Sequence, residues 1–461
     1  MNNKDKKLHP GWWISILYFA QGFPYTVVNT MSVVFLKGLG ASNELIGLTS
    51  LLSLPWVMKG LWGPIVDIYS TKRRWILRME VLCIILFLIL ALGAPFPSAI
   101  PFSIAIFSLI AFVSATHDIA IDGFYLTVLN LDQQAFYVGV RNTAYRMAVL
   151  AGGGGLVFLA GHIAEQYIQD KNAKGEITYN LVQLGFWGSD FSLPALQWGW
   201  TIAFSLASLI FLFIYGFQRI YLPYSPKPVF SETENLSNSA NFINSFKTYF
   251  TQYKIGWIIA FILLFRLGDA LTFKMATPFL MDTPAKGGLG ITTAEIGILS
   301  GTVGVIFLLF GGLLGGFLIA KQGLKTWIWP MAILQNFTNI FYWLLAKTQP
   351  EIFWAYVVNS LEQFTYGLGV AAYTVFLMQT VRPEYKASHY AITTAFMAAG
   401  VLIPGVFSGY IQADLGYQNY FLLSAMAVIP GLLTIFFIPI KDQHNLKSIP
   451  RPGLDDEDSE S

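Results

Sequence analysis

The chain has 461 residues, of which 55% are Ala, Val, Ile, Leu, Met, Phe, Trp, Tyr or Cys, 41 more are Gly and only 12% are charged. A soluble globular chain carries about 25% charge, so this one cannot cover a single surface against water, and part of its solvent must be lipid. That excludes a nucleic-acid binder, a secreted disulfide scaffold and a water-soluble enzyme as leading readings. The formal net charge of +2 argues for no polyanionic partner, and the lone Cys83 has nothing to pair with.

Apolar runs of about 20 residues, the length that crosses a bilayer as a helix, recur twelve times. They are Gly11 to Leu36, Glu44 to Val66, Arg73 to Ala94, Ala99 to Leu129, Ala135 to Glu165, Ala195 to Phe217, Ile255 to Met281, Thr292 to Ala320, Thr326 to Ala346, Glu351 to Thr380, Ala387 to Ala413 and Gly416 to Ile440. The first follows Lys4, Lys6 and Lys7 as a signal peptide would, but it is too long for one and reads as a retained helix. Residues 1–10 and 441–461 become tails, the second ending in the acidic DDEDSES. Residues 11–217 and 255–440 become two sets of six spans, and the polar stretch 218–254 becomes their linker. Basic residues gather on one set of connections, at Lys4 to Lys7, Lys72 to Arg74, the linker, Lys321, Lys325, Arg382, Lys386 and the tail. The opposite connections hold Lys37, Lys171, Lys174, Lys286 and Lys347. The positive-inside rule then puts both termini in the cytoplasm and the long stretch Gln166 to Pro194 outside.

Two sets of six invite a search for a repeat. Gly63 to Asp67 (GPIVD) precedes Lys72, Arg73 and Arg74, and Gly316 to Ala320 precedes Lys321 and Lys325 in the second half. Such a Gly lets helix ends approach, and Asp67 can engage the basic turn of Arg73 and Arg74 or a neighbouring helix start. Six plus six spans with this loop and a cytoplasmic linker resemble the major facilitator superfamily. Glycines also line span five (Gly152 to Gly155) and span eight (Gly301, Gly304, Gly311, Gly312, Gly315, Gly316). They are seams for close helix packing, with a sliding contact between the halves as the sharper reading.

Ionisable groups inside spans cost a few kcal/mol each and mark function by default. Away from span ends these are Lys59, His117, Asp118, Asp122, Arg141, Arg146, Arg266, Asp269, Lys274 and Glu362. Asp118 and Asp122, at i and i+4, share a helix face. At about 1.5 Å per residue, Lys59, Asp118 and Arg146 come to similar depth, and Asp122 and Arg141 lie deeper toward the cytoplasm. The expected pairs are Asp118 with Arg146 or Lys59, and a structural pair of Asp122 with Arg141. Gln21, Tyr25 and Asn29 on span one, and Glu362, Tyr366 and Tyr373 on span ten, form polar stripes. With Lys59, Asp118, Arg146 and Arg266 they would line one central cavity. Lys59, Arg141 and Arg146 outnumber Asp118 and Asp122, while Arg266 and Lys274 balance Asp269 and Glu362. A cavity with a spare cation suits a solute bearing carboxylates or phosphates, and Asp269 and Glu362 are the candidates to carry a coupling proton.

Segments at these positions resemble the AmpG-type muropeptide permease family: Gln21 to Pro24 (QGFP), Glu44 to Gly47 (ELIG), Lys59 to Asp67 (KGLWGPIVD), Ser114 to Asp122 (SATHDIAID), Tyr145 to Met147 (YRM), Arg266 to Ala270 (RLGDA) and Gly367 to Tyr373 (GLGVAAY). The resemblance implies a proton-driven importer of anhydro-muropeptides in the bacterial inner membrane, with Lys59, Asp67, Asp118, Asp122, Arg146, Asp269 and Glu362 at the family's positions and Arg266 where a Lys is usual. Ala115 to Leu129 is also similar to the eukaryotic acetyl-CoA transporters, so a carrier of acetyl-CoA or another nucleotide-bearing anion is the alternative. Three features depart from pattern: the turn Asp132-Gln-Gln-Ala after span four, the length of Gln166 to Pro194, and the absence of Pro from the span-five glycine run. The fold class expected is therefore an all-α polytopic membrane protein of twelve transmembrane helices in two six-helix pseudo-repeats. Its partners are a small anionic solute, protons and lipid, and it is expected as a monomer with no nucleic acid, metal or cofactor. A membrane enzyme acting on lipid-linked sugars would need a catalytic constellation at the membrane edge, and neither HExxH nor GxSxG occurs; nor does the phosphate loop of a nucleotide-driven pump.

Overall fold

A computed structural model describes residues 9–96, 98–171, 177–186, 189–224, 247–381 and 386–440. The N-terminal residues 1–8, the linker stretch 225–246 and the tail 441–461 lie outside the described residues.

Helical passages run over 10–38, 43–68, Lys72–Gly93, Ala99–Val128, 131–165, Ala195–Tyr221, 255–281, 293–322, 324–348, Ile352–Gln379 and Lys386–Met426, the last continued by Val428–Thr434. The Lys386–Met426 helix holds two spans, bent at Gly416 (φ 70, ψ 165), a left-handed geometry open to Gly. Gly400 packs on Ile262 and Leu263, and Gly431 on Leu264 and Phe265, so the chain returns to the same depth after that bend. Twelve spans result, as expected. Helices satisfy every backbone group internally, which lipid demands.

Seven helices among the described residues are long and apolar enough to cross a membrane by length and composition alone, and Ile392–Thr434, counted once, contains both final spans. The others are less apolar. Span one holds Gln21, Asn29 and a π-helical stretch at Val27–Met31, span two holds Lys59 and 3-10 turns at Thr49–Ser53 and Lys59–Leu61, and span nine holds Gln335, Asn336 and Asn339 around a break at Thr338. Span ten carries Asn359, Glu362, Gln363 and Thr365. Span six stays helical to Tyr221, past the boundary expected at Phe217, and helix resumes at 247–250. Starts are capped by local chemistry: the Thr71 hydroxyl accepts from Arg74 N (3.3 Å), and Asn130 with Gln133 and Thr292 with Glu295 form capping boxes. The Asp132-Gln-Gln-Ala departure is thus part of the start of span five. Between spans five and six, β1 (Ile168–Lys171) pairs antiparallel with β2 (Ile177–Tyr179), and β3 (Leu181–Phe186) with β4 (Ser189–Pro194), two hairpins added to the helical fold.

The halves interlock on the face that carries these hairpins. A Cβ on Gly301 would stand 2.0 Å from Gly153 O, one on Gly161 2.1 Å from Ala294 N, and one on Gly47 2.9 Å from Gly409 N. Only Gly permits such backbone approach. Lys37 pairs with Asp282 across the halves at 2.8 Å. Asn43 donates to Gln412 at 2.6 Å, and Tyr417 donates to Asp282. The opposite face carries the basic turns. Gly63 and Gly316 lie toward it, and each has open space where a Cβ would stand, which corrects the expectation that they bring helix ends together. The reason is their place, at ends remote from the interlock. In span eight, Gly311 and Gly315 pack on Phe364 and Leu368 of span ten, within the second half.

Candidate substrate cavity and its buried charges

In the first half, Asp118 and Asp122 project from one face of span four. Asp118 accepts hydrogen bonds from Lys59 Nζ and Gln21 Nε2. Of the two partners expected for Asp118, Lys59 is the one it meets. Lys59 opens the 3-10 turn Lys59–Leu61, where span two tightens out of α geometry, and its side chain is about one-third exposed. Asp122 lies 3.8 Å from Arg141 and accepts from the Tyr18 hydroxyl at 3.2 Å, while the Arg141 guanidinium sits over the Tyr18 and Tyr125 rings at 4.7 and 5.6 Å. The cation stays paired and stacked, as a structural lock requires.

Arg146 makes no hydrogen bond or ion pair among the described residues. It lines a cavity of about 270 Å³ with Leu308, Gly312, Gly367, Val370 and Thr374, where spans five and eight leave room beyond their Gly153–Gly301 contact. On span one, Gln21 is held by Asp118. Asn29 accepts from Ser53 Oγ at 2.5 Å, and Tyr25, 36% exposed, meets Trp56 edge-on at 5.0 Å.

In the second half, Asp269 and Glu362 are almost wholly buried, at 2% and 3% exposure. Arg266 and Lys274 match Asp269 and Glu362 in number, but neither forms an ion pair with them among the described residues. Asp269 accepts from Gln335 Nε2 and from Asn339 Nδ2 (3.0 Å), two amides of span nine, and Glu362 accepts from Gln363 Nε2 at 3.0 Å. Lys274 donates across the halves to Thr49 Oγ1 at 2.8 Å. Arg266 donates to the Tyr366 hydroxyl and stands 5.3 Å from that ring, and its Nε is buried without a partner. Tyr373, expected in the cavity, is packed instead: 1% exposed, stacked on Phe265 at 5.3 Å and donating to Ile262 O at 2.8 Å. Its ring turns toward span seven rather than the space between halves.

In the basic loop, Arg73 donates to Arg219 O (2.6 Å) and Leu222 O (3.1 Å), closing the end of span six, and Arg74 is exposed. The side chain of Asp67 lies outside the described residues. Sequence reasoning missed Gln335 and Asn339, whose amides look like ordinary helix polarity, and Glu80. Glu80 is fully buried with an oxygen 3.8 Å from His117 Nε2, also fully buried. A carboxylate inside the apolar run of span three was the available signal for Glu80.

No family model matches the chain. It is similar over nearly its whole length to the anhydromuropeptide permease of Escherichia coli K12, with 26% identity covering 91% of this chain and 78% of that protein. It is also similar to an uncharacterized protein of Haemophilus influenzae, with 28% identity covering 93% and 95%. A putative transporter AmpG 4 of Rickettsia conorii shares 23% identity, covering 93% and 96%. Among solved structures, a D-xylose–proton symporter superposes with a TM-score of 0.68 at 12% identity, covering 93% and 97%. A POT family transporter in complex with 5-aminolevulinic acid superposes with a TM-score of 0.67 at 13% identity, covering 95% and 98%. At such identities these structures speak to the fold, and the fold is that of the major facilitator transporters.

Proposed function

We propose that this chain, a multi-pass inner-membrane transporter of the major facilitator fold and AmpG type, imports an anionic wall-derived solute such as an anhydro-muropeptide together with protons. Two six-span bodies, 11–217 and 255–440, rock about a cavity between them, joined by the linker 218–254. The basic face and both termini are cytoplasmic, and the protein works as a monomer.

The observation that carries the reading is the unequal dress of the buried charges. Arg146 and Arg266 face the interior without a carboxylate partner among the described residues, which favours an anionic solute. Asp269 and Glu362 are buried on amides, without a cation at hydrogen-bond distance, so each can gain and lose a proton without breaking an ion pair. Interlock at the hairpin face corresponds to a state shut to the outside, with Lys37, Asp282, Asn43, Gln412 and Tyr417 as its latch. The name of the Escherichia coli relative supplies the solute class.

The test is uptake into energised vesicles of a panel of anhydro-muropeptides alongside acetyl-CoA, with and without a protonophore. Protonophore-sensitive accumulation of a muropeptide is the expected result. Uptake of acetyl-CoA alone would move the substrate to nucleotide-bearing anions, and no sensitive uptake of any member would remove the proton-coupled reading.

A further inference from the structure

Arg146 and Arg266 belong to different halves, yet both converge on one turn of span ten. Arg266 reaches from span seven to the hydroxyl and ring face of Tyr366, while Arg146, from span five, shares a cavity wall with the next residue, Gly367. The other interior cations are occupied: Lys59 by Asp118, Arg141 by Asp122 and two rings, Lys274 by Thr49. Arg266 keeps a buried Nε–H with no acceptor, and Arg146 has no hydrogen bond or ion pair among the described residues. A buried donor left unmade is costly, and a guanidinium presents a planar fork that matches the oxygens of a carboxylate or phosphate.

We infer that Arg146 and Arg266 form a two-armed clamp for one oxyanion of the solute, one arm from each half, against the Tyr366–Gly367 turn of span ten. This deepens the import reading, on which it rests for the identity of the solute. The clamp also links binding to motion. An anion held by both arms draws span five toward spans seven and ten, on the side of the cavity away from the Gly153–Gly301 interlock. Held by both arms, one anion bridges the two halves, so its binding is coupled to their relative position.

The experiment measures binding to the full chain in detergent of three probes: a carboxylated anhydro-muropeptide, the same compound with its carboxylates converted to amides, and inorganic phosphate. The wild type is expected to prefer the carboxylated form by about tenfold or more. Arg146→Gln and Arg266→Gln are each expected to erase that preference. The double variant should bind no more weakly than either single one, because one anion needs both arms. Should a glutamine variant fail to fold, the lysine variant decides: it keeps the charge but loses the fork, so the preference must shrink. A preference that survives either substitution, or losses that add in the double variant, would overturn the clamp. Muropeptide bound equally in both forms also overturns it while leaving import untouched. Phosphate bound with the same dependence on both arginines, but no muropeptide bound at all, keeps the clamp and removes the wall-derived solute. If no probe binds the wild type, the clamp is wrong.

Discussion

Asp118 and Asp122 in the first half each meet a cation, Lys59 and Arg141, whereas in the second half Asp269 meets two amides and Glu362 one. The same residue type therefore has two physical meanings in one bundle. Removing a carboxylate that is paired with a cation leaves that cation stranded in an apolar surrounding. A carboxylate on amides sits among neutral groups that each carry a donor N–H2 and an acceptor oxygen, so an amide that turns over can serve either protonation state. On the import proposal, the two carboxylates of the first half are held in ion pairs, and those of the second half are the candidates to carry the proton.

The largest effect expected from this contrast is functional. Asp269→Asn and Glu362→Gln should each abolish concentrative, protonophore-sensitive uptake while leaving exchange of solute across the membrane. The measurement is accumulation against pH, paired with counterflow. Unchanged proton dependence in both variants would break the comparison. Next comes Asp118→Asn, which strands Lys59. Full burial would put the cost at about 3–5 kcal/mol, but Lys59 is about one-third exposed, so roughly 2 kcal/mol is expected on melting in detergent. Replacing both residues by apolar ones of similar size should recover most of it. Asp122→Asn is expected to cost less, under about 1 kcal/mol, because its pair is long at 3.8 Å and partly exposed, and Arg141 keeps its two aromatic faces. A larger loss for Asp122 than for Asp118 would reverse the ranking. The smallest effect belongs to Tyr373→Phe, which gives up one hydrogen bond to Ile262 O. About 1 kcal/mol of stability and no change in uptake are expected, since the ring packs on Phe265 away from the cavity.

Much of the architecture was legible before any coordinates. Runs of about 20 apolar residues give spans because lipid leaves the backbone no partner but itself, and that constraint operates locally along the chain. The charged residues that matter were also visible, since a Lys, Asp or Arg inside such a run stands out by cost alone. Choosing partners was harder. Asp118 had two cations at similar depth, and depth along a helix axis does not say which way each helix is rotated. The structure pairs Asp118 with Lys59, which opens a 3-10 turn of span two at Lys59–Leu61. Gln335 and Asn339 escaped notice because an amide in a helix is cheap enough to be common, and only their meeting at Asp269 gives them meaning.

Glycine teaches the same lesson at finer grain. Gly301 and Gly63 are alike in sequence, yet a Cβ on the first would stand 2.0 Å from Gly153 O and on the second would meet nothing within 4 Å. By itself the sequence determined the solvent, the number of spans, the two-by-six plan and the list of costly interior charges, because each follows from composition read along the chain. Tertiary structure alone decided which charges are paired, which face of the bundle is locked and which two interior arginines lack a carboxylate partner among the described residues. Those outcomes depend on helix rotation and on contacts between residues of different helices.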